Sequence, residues 1–325
     1  MNMTRRIVLV AAALFGLGSA IPATAQNFPG RPIKLIVPFP AGGSVDAMAR
    51  LVAQQMSSRL GTVLVENRPG AGATLGAKAV AMAEPDGYTL LFGSAGSLCV
   101  APALYSNAGY DPIRSFVPVA TISLLPPVFV VGPAVAAKSI QEFVTYAKAN
   151  PGKLNYGSAL GTPPHLSGAL FKERAGIDVA YIPYKGAAQS VSDLLGGQTQ
   201  FSIDSLTSYY PLIKDGKVRA LAVASAQRWP ELPDVPTMIE SGYPGFVVDA
   251  WVGIVAPAGT PPEIVSKLNA AINDSLRAPE LDKALRNASA IPKIGSPQDF
   301  AAFLAAEVRK WAEMVKISGA KVDGG

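Results

Sequence analysis

The chain has 325 residues, with 28 Lys+Arg against 23 Asp+Glu, one Cys and one His. The small positive charge is spread without basic clusters or interleaved aromatics, which argues against nucleic acid as a partner. Cys99 alone allows no intramolecular disulfide, and one His with one Cys cannot build the usual metal-ligand sets, since carboxylates such as Asp46, Asp111 and Asp204 are scattered.

At the start, Arg5-Arg6, the apolar run 7–17 and Ala23-Thr24-Ala25 follow one another in the order of a cleavable export signal over residues 1–25. The apolar core is too short to cross a bilayer. A plain Sec signal fits better than a twin-arginine one, and no cysteine at the cleavage site supports a lipid anchor. Without Arg5 and Arg6 the balance is 26 against 23, a net charge of +3. About 300 residues then remain, more than one core usually serves, so two domains are expected.

The chain next reads as alternating strands and helices. An apolar strand over 33–37 leads through Pro38-Phe39-Pro40-Ala41-Gly42-Gly43 into a helix from Ser44 to Gly61, with Met48, Leu51, Val52 and Met56 on one face. Gly42 and Gly43 have no Cβ, and the first N–H groups of a helix lack internal partners, so an anion is the natural guest. The plainer reading is a connecting turn with Ser44 as N-cap. A strand over 62–66, a loop over 67–72, a helix over 75–83 and a strand over 88–92 continue a parallel βα pattern.

Residues 116–131 form an apolar extended passage broken by Pro126-Pro127, which reads as a crossing to a second domain. That domain repeats the plan: a helix capped by Ser139, strands over 154–156, 179–182, 201–203 and 219–224, and helices over 165–175 and 187–195. Gly93-Ser94 and Gly157-Ser158 stand at matching strand ends, where open α/β sheets bind ligands. A passage over 246–257, carrying Trp251, returns the chain, and two crossings make a hinge. Thr260-Pro261-Pro262-Glu263 reads as a capping box before Ile264, Leu268, Ile272 and Leu276; Ser296-Pro297-Gln298-Asp299 starts a last helix with Phe303, Val308, Trp311 and Val315 near one face.

Enzyme readings lack a coherent residue set. Gly70-Ala71-Gly72 resembles a dinucleotide loop but follows the second strand, after Asn67-Arg68-Pro69. A serine hydrolase would have to join His165 to Ser94 or Ser158 and to Asp46 or Asp204, yet no Gly-x-Ser-x-Gly elbow is present. That hydrolase, with Ser158 and His165, is the alternative from a different class, and a non-transport sensory binding module is a third. His165 reads as a structural residue in the first turn of its helix.

Seven blocks in order along the mature chain carry a resemblance. They are Arg31-Pro32-Ile33, the run from Val37 to Asp46, Asn67-Arg68-Pro69-Gly70-Ala71-Gly72, Pro85-Asp86-Gly87-Tyr88-Thr89-Leu90-Leu91, Pro183-Tyr184-Lys185-Gly186, the run from Gly216 to Val223, and Ala256-Pro257-Ala258-Gly259-Thr260-Pro261. Together they resemble the Bug family, the periplasmic solute-binding components of tripartite tricarboxylate transporters. The resemblance implies an α/β, two-lobed type II periplasmic binding protein, each lobe a mainly parallel sheet flanked by helices. Domain 1 would comprise residues 26–125 and 251–325, and domain 2 residues 126–250. It implies a monomer without cofactor or catalytic residues that binds a small carboxylate and meets integral-membrane transporter subunits.

By position, Phe39, Pro40, Ala41, Gly42, Gly43 and Ser44 would cradle the carboxylate, with Asp46 beside them. Ser94 would hydrogen-bond the ligand, Ser158, Gly161 and Thr162 would approach from domain 2, and Asp204 and Ser205 would face the cleft. Two departures stand out: the loop over 157–166 is one residue shorter than usual, with Leu160 near a common glycine position, and Ser97-Leu98-Cys99-Val100 implies a more apolar wall.

Overall fold

The computed structural model describes residues 28–320 apart from 106, 185 and 186, so the expected export signal lies outside the described residues. Ile33–Val37 (β1) buries every side chain except Lys34, as a central strand covered on both faces requires. It pairs in parallel with Val63–Asn67 (β2) and Thr89–Ser94 (β3). Between them run Ser44–Leu60 (α1) and Thr74–Ala81 (α2), and α1 buries Met48, Val52, Met56 and Leu60 against the sheet. Ala101–Leu104 (α3) follows a π-type turn over Gly96–Val100.

Phe116–Leu125 (β4) belongs to this first sheet, and after Pro126 the chain enters a second one as Pro127–Val131 (β5). There follow Ile140–Ala149 (α4), Leu154–Ala159 (β6), Pro163–Ala175 (α5), Val179–Tyr184 (β7), Ala187–Leu195 (α6), Phe201–Ser205 (β8), Leu206–Lys214 (α7) and Arg219–Val223 (β9). The chain returns as Ala250–Pro257 (β10), then Pro262–Leu276 (α8), Pro279–Asn287 (α9), Ile291–Pro292 (β11) and Pro297–Ser318 (α10). Strand order is β11-β4-β10-β3-β1-β2 in the first sheet and β7-β6-β8-β5-β9 in the second.

Both sheets are mixed rather than mainly parallel. Parallel pairing is confined to β2-β1-β3 and β7-β6-β8, whereas β10 runs against β3 and β4, and β5 runs against β8 and β9. A parallel neighbour needs a long crossover within its own sheet. β5 and β10 instead arrive from the other sheet, and so enter from the opposite end. The two passages lie side by side, because Leu125 pairs with Ala250 at the end of the β4/β10 ladder. Ala224 N–H donates to Pro127 O (2.8 Å) and Val248 N–H to Ala224 O (2.9 Å), fastening the same corner.

The second sheet closes over an aromatic cluster in which Phe129 stacks on Phe201 (5.2 Å between centroids) and meets Phe143 and Phe171 edge-on. The capping box at Ser296 forms, with Asp299 N–H donating to Ser296 Oγ at 3.1 Å and Ser296 N–H to Asp299 Oδ2 at 2.9 Å. The one expected at Thr260 does not: its hydroxyl donates back to Pro257 O (2.8 Å), and Pro261 takes the N-cap position without a side-chain cap. On α10 the buried stripe is Phe300, Leu304, Glu307, Trp311, Met314 and Val315, with Phe303 and Val308 only half-buried.

Glu307 binds α10 to the crossing strand. Its Oε2 accepts from Trp251 Nε1 (3.0 Å) and Trp311 Nε1 (2.8 Å), and its Oε1 meets Lys310 Nζ at 2.5 Å. Both indoles are fully buried, so removing the acceptor strands two N–H donors away from water. Glu307→Ala is expected to cost about 2–4 kcal/mol, read as a lower urea midpoint at unchanged slope.

Candidate functional site

A cavity of about 560 Å³ lies between the carboxyl ends of strands from the two sheets. From the first sheet come Phe39, Pro40, Ser44 and Val45 of the β1–α1 connection, Ser94 at the end of β3, Val100, Ala101 and Leu104, and Ala250, Trp251 and Val252 of β10. The second sheet contributes Ser158, Leu160, Gly161, Thr162 and Asp204. The two sides approach closely at Gly161, whose φ is +71 and where a Cβ would meet Leu104 Cδ1 at 2.6 Å.

Most of the sequence-derived residues reach this cavity, but Ala41, Gly42, Gly43, Asp46 and Ser205 do not stand on its wall. The glycines shape the loop rather than line the cavity. Gly42 turns it with φ +84, and Gly43 takes the N-cap position of α1 with an extended backbone, in place of Ser44. Ser205 similarly starts α7, and its N–H donates to Asp204 Oδ1 at 2.6 Å.

Asp46 is a structural staple. It is buried, and its Oδ2 accepts from Gly42 N–H (2.9 Å) and Arg50 Nε (3.0 Å) while Oδ1 accepts from Asn67 Nδ2 (2.8 Å). Asn67 Nδ2 also donates to Phe39 O at 3.1 Å, so one side-chain network ties the loop, the helix and β2 together. Both carboxylate oxygens of Asp46 are engaged by neighbours of the loop, and the residue does not line the cavity. The Arg50 hydrogen bond, helped by Gly42 N–H and Asn67, brings its carboxyl down to about 2.

What α1 itself presents is a donor end. Its first internal bond runs from Ala47 N–H to Gly43 O, which leaves the N–H groups of the first turn, where Ser44 and Val45 line the cavity, without helical partners. Ser94 adds a hydroxyl whose Oγ accepts from Ser97 N–H at 3.3 Å and keeps its proton free to donate.

The facing helix start differs. α5 opens with Pro163 and Pro164, which carry no N–H; Thr162 N–H donates to Ala159 O (3.3 Å), and Gly161 N–H donates to His165 Nδ1 (3.3 Å). His165 is buried and packs tilted against Tyr181 at 4.1 Å between centroids; its Nδ1 accepts from Gly161 N–H, and burial holds its pKa below the ordinary value. Ser158 Oγ is buried with no hydrogen-bond partner, and the Ser158–His165 pair that a hydrolase needs is not formed.

Asp204 closes this wall. Burial pushes its carboxyl up to about 6, opposed only by the Ser205 N–H. Val100 lines the cavity as the apolar wall expected there, but sequence reading passed over several lining groups: Gly70, Gly72 and Ala73, in a left-handed turn after β2, and Ala101, Leu104 and Tyr105. A Cβ on Gly72 would meet the Tyr105 ring at 2.4 Å, so the glycine there is a packing requirement.

The staple predicts a pH signature. A carboxyl held near 2 against an ordinary 3.8 stabilises fully above the ordinary value and loses that contribution as pH falls towards 2. Asp46→Ala is expected to lower stability by about 1–3 kcal/mol at neutral pH. Urea titrations repeated down to the acid limb should show the gap to the parent closing.

The family model described as the tripartite tricarboxylate transporter family receptor matches residues 48–320. BugT of Bordetella pertussis is 39% identical over 325 residues, covering 99% of this chain and all of that protein. Among solved structures, R. palustris Rpa4515 with adipate has a TM-score of 0.79 and 37% identity, covering 91% of this chain and 100% of that one. MatC from Rhodopseudomonas palustris with bound malate has a TM-score of 0.75 and 35% identity, covering 89% of this chain and 100% of that one. The matched family is one of receptors, not enzymes. The two-lobed α/β fold and the length of the match agree: this chain belongs to the tripartite tricarboxylate transporter receptor family.

Proposed function

We propose that this protein is a periplasmic receptor that captures a small carboxylate between its two lobes, closes about the β4–β5 and β9–β10 passages, and presents the solute to integral-membrane transporter subunits. The lobes are residues 26–125 with 251–325, and residues 126–250; the working form is a monomer without cofactor. One observation carries the reading: the unbonded first turn of α1 and the Ser94 hydroxyl open on the same cavity between the sheets. Adipate and malate, held by the relatives named above, are carboxylates of a size suited to such a space.

The energetics are sufficient. Hydrogen bonds to a charged group contribute about 1.5–3 kcal/mol each, so a few of them reach roughly −8 kcal/mol, or micromolar affinity, after ordering costs. Contacts made by both lobes at once exist only when the lobes are together, so the solute itself favours the closed state. Leu104 against Gly161 is one place where the lobes meet, and α10 packed on α5 is another.

A thermal-shift screen against a carboxylate library, followed by calorimetry, tests the capture step, because a tight ligand raises the melting temperature by mass action. Ser44→Asp then tests the location, at an exposed position of the same first turn. An acidic residue in the first turn suits the helix, yet it sets a like charge where the carboxylate would sit. Affinity is expected to fall at least about tenfold with the melting temperature of the free protein unchanged or raised. Unchanged affinity would remove α1 from the site.

A further inference from the structure

We propose that Thr207, on the second lobe, is a positioning residue for solute capture: its hydroxyl latches the start of α7 to the end of α9 on the first lobe and so holds the two walls of the cavity at their working separation. The inference rests on the two-lobed capture reading above and adds a lobe contact that lies outside the cavity.

Consecutive residues join the cavity, the hinge and the other lobe. Asp204 lines the cavity. Ser205 is the register partner of Pro127, and Leu206 N–H donates to Pro126 O at 3.2 Å, so the start of α7 is bonded to the β4–β5 passage itself. Thr207 Oγ1 then donates to Ala288 O at 2.6 Å, across to the first lobe. Ile291, a little further along the first-lobe chain, packs against the core cluster of the second lobe that contains Leu206 and Tyr209. A polar and an apolar contact thus bring the same two elements together.

The end of α9 is built to offer that carbonyl. Ser289 takes the left-handed region at φ +52, and the turn closes with Ser289 N–H on Arg286 O (2.8 Å) and Ala290 N–H on Leu285 O (2.9 Å). Those two bonds satisfy helix-end carbonyls from within, whereas the C-cap carbonyl of Ala288 takes the Thr207 hydroxyl of the other lobe. The amino end of α7 therefore stands at the carboxyl end of α9, an apposition that the helix dipoles favour. A bond between two bodies exists only while they are together, so it biases the lobes toward this arrangement. A solute that fixes the end of β8 also fixes the latch, and by reciprocity the latch holds that wall for the solute. Thr207 is exposed, so water competes for its hydroxyl and the bias is modest.

The test compares Thr207→Val, which keeps the shape and removes the donor, with Thr207→Ser, which keeps the donor. Leu64 on the first lobe and Tyr146 on the second are exposed and take spin labels through Leu64→Cys and Tyr146→Cys, since Cys99 is buried. In the free mature protein the label-to-label distance distribution is expected to widen with Thr207→Val and to return to the parent's with Thr207→Ser. Adipate and malate are then titrated by calorimetry, and their release is followed by stopped-flow tryptophan fluorescence. Thr207→Val should bind the tighter of the two about three- to tenfold more weakly, through faster release, with the melting temperature of the free protein within about 2 °C of the parent's. A parent-like distance distribution in Thr207→Val, a widening that Thr207→Ser does not reverse, or parent-like release of an acid that binds would overturn the latch and leave the carboxylate reading standing. Failure of the parent to bind either acid would count against the carboxylate reading alone, and the distances in the free protein would still decide the latch.

Discussion

The antiparallel pairing of β4 with β10 is the constraint on which the rest of the molecule depends. Pro126 separates β4 from the first strand of the second sheet, and Ala250, the first residue of β10, is the register partner of Leu125. Two chain passages thus leave the first sheet at one point and in one direction. Bulges between Val252 and Gly253 and between Ile254 and Val255 bend this ladder, and Gly253 leaves room for Phe300 of α10, whose ring atom a Cβ would meet at 2.5 Å. The Glu307 carboxylate then joins Trp251 of β10 to Trp311 of α10. The same indole that anchors the passage forms part of the cavity wall, so packing at the corner and the shape of the site are one problem.

Polarity at the site follows from how each helix begins. Asp46 takes the loop amide of Gly42 and the Asn67 amide for itself, which fixes the loop while leaving the helix-start donors untouched. The proline pair at the start of α5 and the Gly161–His165 bond have the opposite result, a helix start with few donors to give. An anion is therefore better served at α1 than at α5, although both helices point their first turns at the cavity. The departure at Leu160 fits this picture: half exposed at 49%, it forms an apolar lip beside Gly161.

Much of this was legible in the residues. The helix over 187–195 and the passage broken at Pro126-Pro127 are where periodicity and proline placed them. The signals that succeeded were local, such as the Ser139 and Ser296 caps. The misses share a cause in tertiary context. Thr260 has the spacing of a capping box, but its hydroxyl is taken by the preceding strand end. α7 begins straight after β8 with no loop to mark it and carries Pro211 inside, and α9 is a short helix among polar residues. Strand direction could not follow from a pattern that is alike for parallel and antiparallel buried strands. At the site, small and apolar lining residues such as Ala101 and Gly72 have no chemical signature, and Asp46, which has one, spends it on the loop.

The central claim, a carboxylate held by the first turn of α1 between two lobes, is tested most directly by a crystal structure of the mature protein with the tightest carboxylate found. The account predicts the carboxylate within hydrogen-bonding distance of the N–H groups at Ser44 and Val45, with Ser94 beside it and Ser158 and Asp204 on the far side. A ligand seated outside the cavity, or one whose carboxylate lies against Asp204 with the α1 turn unoccupied, would contradict it.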